Sequence, residues 1–437
     1  MFKRWLMSVL AGVLWLPAAH AQNVMLTEAP LKDACVRNSV TMDVEGKQTV
    51  KRDEKEVSYP LKVSASHAYV ERYLECNGAV ADKAARFYTQ AERTIRFNND
   101  AGGKNALRPS RSFMAVLRIK DQIVSYSPKG MLTRDEVELT DHFDTMAVPG
   151  LLPGTQVAPG KTWSVPNHVV QALCGLSGIT SQKFEGKLTE VKGSIAHVTL
   201  VGEVKGIDMG AEVAMIINGR LEFDTKDQRI VFAEWKQQDD RKQGPISPAM
   251  TANVVITLKR TPISMPAELN DNPLIPWNAP AHLTGLQHTD PAKRFELLHA
   301  RDWHVVSPDK SPQLVMRLME RGDFIAQVTF SPWKKIDLKV VPTKEAFADM
   351  MAKTPGWAQE KEIACREIDK ANMPRSWHKA YRVEASGELD GVKTWQNFYL
   401  IVSTQGEQMI VTFSMIPQHV QRLGIRDLEL VRELVLP

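Results

Sequence analysis

His304 is the first residue to ask about, because it follows Asp302 and Trp303 in the stretch ARDWHVV. An imidazole near a carboxylate can act as a general base, provided a nucleophile or substrate lies within hydrogen-bond reach. If WHVV is a strand, successive side chains point to opposite faces, so Trp303 and His304 cannot work on the same one. The pair then opens a strand, with Trp303 closing the edge of a core. Arg321-Gly322-Asp323 spells an adhesion tripeptide, but Gly322 also supplies the positive φ of a tight turn between two strands. His282, His288 and Asp290 carry metal-ligating groups. Their spacing matches no named site, and no scaffold is evident to fix their geometry. His299 with His304 offers no better set.

Nucleophile and phosphate motifs fail on spacing. CGLSGI has Gly175, Ser177 and Gly178, which is not the G-x-S-x-G elbow, and it reads as a turn after a helix. In GTQVAPGKTW, Gly154 lies one residue too far from Gly160-Lys161-Thr162 for a phosphate loop. A strand anchored by Trp163 follows instead of a helix. Glu136 with Glu138, and Asp239 with Asp240, need a cleft to become an acid–base pair. The sequence supplies no cleft. These residues yield no catalytic, cofactor-binding or metal site, and no cofactor is expected.

The chain's first residues point outward from the cell. Lys3 and Arg4 precede the apolar run WLMSVLAGVLWL, and PAAHA places Ala19 and Ala21 at the small positions of a cleavage site. Residues 1–21 therefore read as a secretory signal peptide, and the protein is expected to be exported, periplasmic or secreted. No later stretch is apolar for long enough to span a bilayer, so no integral membrane segment is expected after cleavage. Of 437 residues roughly 416 then remain, enough for two domains. With 43% apolar and 24% charged residues the composition is that of a globular protein. The 55 basic and 51 acidic residues, less Lys3 and Arg4, leave about +2, which argues against nucleic acid. Four cysteines permit three pairings in an oxidising compartment. Cys35 with Cys76 is the preferred disulfide because both fall in one region, while Cys174 and Cys365 read as separate buried thiols.

The elements that must hold these residues are mostly strands. From 183 to 260, KLTEVKG, SIAHVTLVGEVKG, AEVAMIINGRLEFD, RIVFAEWKQQDD and NVVITLKR follow one another across turn-like breaks, as in an antiparallel meander. RDEVELTDHF and NHVVQALCGL are the short helices of this half. Residues 262–291 carry six prolines and little periodicity, and read as a linker. Beyond it, FIAQVTF alternates, with Phe324, Ala326, Val328 and Phe330 on one face. TKEAFADMMAK starts a helix at a Thr343 N-cap. Three further strands join at Asp390-Gly391 and Gln405-Gly406. IRDLELVRELV places Ile425, Leu428, Val431 and Val435 at helical spacing. The expected fold class is α+β: an N-terminal antiparallel β-rich domain over 22–261, as a curved sheet or half-barrel with short helices, then the linker 262–291. An antiparallel sheet with packed helices follows over 292–437.

The order of elements from ARDWHVV onward resembles the PsbP-like α/β/α sandwich over about 291–437. That resemblance implies a module that binds partners without catalysis, and it carries over no site residue. LLPGTQVAPGKTW and GAEVAMIINGRLEFD resemble a β-rich region of exported bacterial proteins of unknown function. The curved sheet with short helices is also similar to LolA-like lipoprotein carriers. The expected function is an exported, non-enzymatic protein that binds a protein or envelope component. The alternatives are a carrier or sensor of an apolar ligand in the N-terminal β domain, and a hydrolase with a dispersed site.

Overall fold

The structure is a computed structural model that describes residues 23–28, 31–52, 55–98, 102–119, 122–270, 276–308 and 311–437. The expected signal peptide lies outside them. Strands account for 58% of it and helices for 14%. This corrects the expected α+β class: the fold is β-rich, built mainly on one large antiparallel sheet, with no closed barrel.

That sheet has twelve strands. They include β1 (Cys35–Arg52), β2 (Lys55–Asn77), β3 (Val80–Phe97), β4 (Phe113–Ile119) and β5 (Gln122–Tyr126). Next come β6 (Thr162–Ser164), β7 (Gly178–Lys192), β8 (Ile195–Asp208), β9 (Ala211–Asp224), β10 (Arg229–Arg241) and β11 (Ala249–Ile263). The order is β5-β4-β3-β2-β1-β11-β10-β9-β8-β7-β6, and Gly103–Ala106 pairs with β3. The two halves of this chain region meet where β1 pairs with β11 from Cys35↔Ile263 to Thr49↔Ala249. Strict alternation decides which face turns inward. In β9, Ala211, Val213, Met215, Ile217, Leu221 and Phe223 are buried, while Glu212, Ala214, Ile216 and Asn218 are exposed.

The inner face wraps a segment of its own chain. Helices α1 (Arg134–Thr140) and α2 (Asn167–Cys174) form where expected, α1 under a capping box between Thr133 and Glu136. Between them Phe143 packs on Trp235 of β10 at 5.4 Å, and His142 packs on Tyr69 of β2 at 5.1 Å. The segment therefore spans from one side of the curved sheet to the other and shares one core with both. Glycine permits the bend. A Cβ on Gly46 of β1 would stand 2.2 Å from the Thr251 carbonyl oxygen of β11, so only glycine lets the two backbones approach this closely.

The second sheet has seven strands: β12 (Trp303–Val305), β13 (Leu314–Glu320), β14 (Asp323–Trp333), β15 (Trp357–Glu367), β16 (Trp377–Leu389), β17 (Val392–Ser403) and β18 (Gln408–Met415). Their order is β12-β13-β14-β18-β17-β16-β15. Helix α3 (Lys344–Ala352) is capped by the Thr343 hydroxyl, which accepts from the Ala346 N–H, and it buries Phe347, Ala348 and Met351. The hairpin turns carry the positive φ their sequences foretold: Arg321 and Gly322 at 53° and 87°, Asp390 and Gly391 at 49° and 79°.

Three local expectations change. A bulge opposite Leu318 and Met319 turns Phe324 outward and Ile325 into the core, so the alternating face begins at Ala326. The last helix, α4 (Arg426–Arg432), stops before Leu434–Val435, which pairs with Glu296–Leu297. Ile425 and Val435 are consequently exposed. The proline-rich stretch is not bare linker: within it Ala281–Thr284 is helical, and Leu286–Thr289 pairs with Glu296–His299. No helix among the described residues is long and apolar enough to cross a membrane.

Candidate functional site

The inner face of β1–β3 carries the densest chemistry. Register places Asn38 opposite Tyr69, Val36 opposite Glu71 and Val40 opposite His67 on β1 and β2. Arg86 stands opposite Glu71 on β3. The Arg86 Nε donates to Glu71 Oε1 at 2.7 Å, with side chains 2% and 0% exposed. Asn38 Nδ2 donates to the other Glu71 oxygen at 3.3 Å. The Thr145 hydroxyl, on the inserted segment, lies 3.2 Å from both carboxylate oxygens and 2.9 Å from the Tyr69 hydroxyl. Arg86 also lies over the Tyr69 ring at 5.3 Å from its centroid.

Two histidines complete this cluster. His142 Nδ1 lies 3.0 Å from the Phe143 carbonyl and its Nε2 2.9 Å from the Tyr88 hydroxyl. A neutral ring satisfies both contacts when Nδ1 donates to the carbonyl and Nε2 accepts from tyrosine. His67 Nε2 meets the Leu139 carbonyl at 2.8 Å. Burial drives His67 down to about 4, with Arg86 adding to the effect, and it drives His142 well below its ordinary range. Tyr88 is pushed up to about 12 by burial. Histidine, tyrosine, threonine and glutamate thus meet within hydrogen-bond reach, which sequence spacing did not disclose. Their side chains point into packed protein, where Asn38 Oδ1 and His67 Nδ1 are buried without a hydrogen-bond partner. The arrangement pins the inserted segment to β2 and β3.

Two other buried networks have the same character. Glu28 receives both terminal nitrogens of Arg260 at 2.8 Å and the Ile230 N–H at 2.8 Å, while Arg260 also reaches the Tyr73 hydroxyl at 3.0 Å. Asp427 of α4 accepts from Arg382, Asn397 and Tyr399 at 2.7 to 2.8 Å. Each ties an element outside a sheet to the strands beneath it.

Past His67 the inner face of the same strands changes from polar to apolar. Met42, Val44 and Val50 of β1 stand opposite Ala65, Val63 and Val57 of β2. Val63 and Leu61 stand opposite Ile95 and Phe97 of β3. All are half-covered, and Tyr59 lies 5.4 Å from Phe97, ring to ring. The outer face of these strands carries exposed Asp43, Glu45, Lys47, Lys62 and Arg96. Met42 and Val44 are continuous with the main core. Arg93, between the apolar stripe and α1, pairs with Asp135 and Glu138 at 3.2 Å.

The residues singled out from the sequence are dispersed. Trp303 is 2% exposed and meets Phe413 edge-on at 5.9 Å, as a core-closing residue should. His304 faces the other way, half-buried, and burial holds it at about 4. Asp323 of the RGD turn pairs with Arg422 at 3.0 Å. Asp290 is committed to Arg294 at 2.7 Å, and no group of three metal-ligating side chains gathers among the described residues. Ser177 sits after the left-handed Gly175 and accepts the Met209 N–H. Glu136 holds Arg108 at 2.6 Å while Glu138 points to Arg93. Asp239 and Asp240 lie on opposite faces of β10. Burial lifts Asp239 to about 6, and Asp240 meets Lys242 at 3.0 Å. Cys35 and Cys76 are free thiols, as are Cys174 and Cys365. This corrects the expected bridge: Cys35 stands opposite Arg72, four residues along β2 from Cys76, which is farther than a disulfide reaches.

No family model matches the chain, and no curated protein matches it. Among solved structures, the Synechocystis sp. PCC 6803 PsbP protein is similar over 35% of this chain and 92% of its own, at 12% identity and a TM-score of 0.28. The Saccharomyces cerevisiae Ran-binding protein Mog1p is similar over 35% of this chain and 95% of its own, at 10% identity and a TM-score of 0.27. Lipovitellin is similar over 55% of this chain and 26% of its own, at 10% identity and a TM-score of 0.30. PsbP is thus among the neighbours, as the C-terminal resemblance implied. The N-terminal resemblance finds no counterpart.

Proposed function

We propose that this chain is an exported, non-enzymatic binding protein that takes an apolar envelope component on the inner face of β1–β3. The observation that supports this reading is the half-covered stripe of Val44, Val57, Leu61, Val63, Ile95 and Phe97. Alternation persists there for several residues beyond the packed core. A strand face kept apolar without full cover is one that meets something else. The composition of the stripe favours an acyl chain over a protein. Protein hot spots are rich in Trp, Tyr and Arg, whereas this stripe is mostly aliphatic with a single Tyr–Phe pair at its end. Arg93, with its acidic partners, supplies a polar rim where a headgroup would emerge.

The test is native mass spectrometry of the protein purified from its own host's envelope, beside Leu61→Asp and Val63→Asp variants. The expected result is an extra mass in the parent protein, released on denaturation and lost in both variants while Tm stays within a few degrees. Equal retention by the variants would sink this site. A protein cross-linked through the face in place of lipid would overturn the choice of occupant.

A further inference from the structure

The two sheets meet along a seam held by arginines that donate to backbone carbonyls. Arg134 of α1 donates to the carbonyls of Arg301 and Trp303 at 2.7 and 2.9 Å. Arg301 returns the contact, donating to the Ser125 carbonyl at 2.5 Å and to Thr284 at 2.7 Å. Arg317 of β13 donates to the Pro245 carbonyl in the β10–β11 loop. Backbone contacts fill the remainder: Gln287 N–H donates to the Leu132 carbonyl, and the Gly322 carbonyl abuts Gly210. Three guanidinium groups therefore cross the seam to backbone carbonyls, with no hydrogen-bonded carboxylate across it; Asp141 acts on Arg301 and Asp302 on Arg134 only through space. Most buried residues on each side belong to that side's own core, and Leu286 of the short strand Leu286–Thr289 reaches across into the core of the first sheet.

His299 and His304 sit within this seam. His299 is 5% exposed and meets the Ala300 carbonyl through Nδ1 at 2.9 Å. His304 stands beside Arg317 in the β12–β13 register. The charged and titratable groups around the pair are Arg134 from α1, His288 from the neighbouring short strand, and Arg301 and Asp302 from their own turn. Negative charge at the seam is already engaged. Glu138 pairs with Arg93, Asp302 faces Arg426 at 3.7 Å, and Asp141 acts on Arg301.

We infer that this seam is an acid-released joint: protonating His299 and His304 adds two cations to a three-arginine interface and parts the sheets without unfolding them. Burial holds both imidazoles down at about 4, and Arg134 lowers each further, so the closed joint resists protons that the opened joint accepts. The sign follows from linkage. In the opened state the two histidines gain protons once pH falls below their ordinary range near 6.5, and in the closed state they gain none until about 4, while Asp141, raised to about 6 by burial, gains its proton with the joint still closed. Between those values each histidine raises the opening constant by up to about tenfold per pH unit. Above this window the joint is closed.

Small-angle scattering of the full chain from pH 7.5 to 4, with far-UV circular dichroism on the same samples, tests this. The expected result is a growing radius of gyration at unchanged β signal, absent in the His299→Gln/His304→Gln variant. Three outcomes would each overturn the inference: a parent protein that stays closed at pH 4, a variant that opens at the same pH, or loss of the β signal together with the opening. An Arg134→Gln variant with both histidines intact adds an independent check. Having lost a neighbouring cation, its imidazoles should titrate at higher pH by NMR, and unchanged titration would count against the electrostatic account.

Discussion

Replacing Arg86 by Met should unfold the inserted segment from β2 and β3 before anything else fails. The side chain is 2% exposed and its partner Glu71 is 0% exposed, so neither charge can turn to water when the other is lost. Arg86→Met leaves the Glu71 carboxylate with only Asn38 at 3.3 Å and Thr145 at 3.2 Å, both neutral donors. An uncompensated buried charge of this kind costs about 3–5 kcal/mol. Glu71→Leu leaves the guanidinium with Thr145 at 3.3 Å and the Tyr69 ring, and its cost falls in the same range of about 3–5 kcal/mol. The double variant removes both charges and keeps the volume. Its loss should be smaller than the sum of the single losses by about 3 kcal/mol or more. Urea unfolding followed by circular dichroism, with hydrogen exchange at residues 139–147 to locate the first opening, measures the cycle. Single variants that each lose less than about 1 kcal/mol, or a double loss equal to their sum, would refute the claim that this pair pins the segment.

Two further outcomes are expected. Gly46→Ala should cost about 1–3 kcal/mol or more, because its Cβ would meet the Thr251 oxygen at 2.2 Å and the Ala252 Cα at 2.8 Å, both backbone. Gly103→Ala, whose Cβ meets nothing within 4 Å, is the control and should stay within about 0.5 kcal/mol by the same unfolding assay. His67 is kept neutral at about 4 against about 6.5 when unfolded, so its contribution is complete above pH 6.5 and is lost as pH falls toward 4, by about 3 kcal/mol. The difference in unfolding free energy between the parent and His67→Gln at pH 7 and at pH 4.5 reads this directly. A pH-independent difference would contradict it.

What could be read from the sequence was whatever depends on neighbours in the chain. The Thr343 cap and the helix opened by the acidic start of RDEVELT each need only a few consecutive residues, and both stand as expected. So do the turns at Asp390-Gly391 and Arg321-Gly322, where a positive φ is demanded locally. The errors arise where a distant strand intervenes. Phe324 alternates correctly with Ala326 in sequence, yet a bulge set by β13 turns it out. Val435 keeps helical spacing with Val431, yet Glu296 pairs with it and draws the chain off the helix.

The candidate site lay out of reach for the same reason. Asn38, Glu71, Arg86 and Thr145 are spread over more than a hundred residues, and only the β1–β2–β3 register and the return of the inserted segment bring them together. Each alone looks like an ordinary surface residue, because a charged side chain is buried only when paired. One sign was present: in SHAYVERYLE, His67, Tyr69, Glu71 and Tyr73 share a strand face that carries no aliphatic residue. Such a face is either solvated or committed to polar partners, and four consecutive inward positions bearing rings and a carboxylate favour the second. The apolar run Val57, Tyr59, Leu61 and Val63 directly precedes it on the same face. A single strand thus passes from a half-open apolar stretch to a sealed polar one. The inserted segment is anchored at the sealed end, so any movement that admits a ligand beneath it must begin at the apolar end.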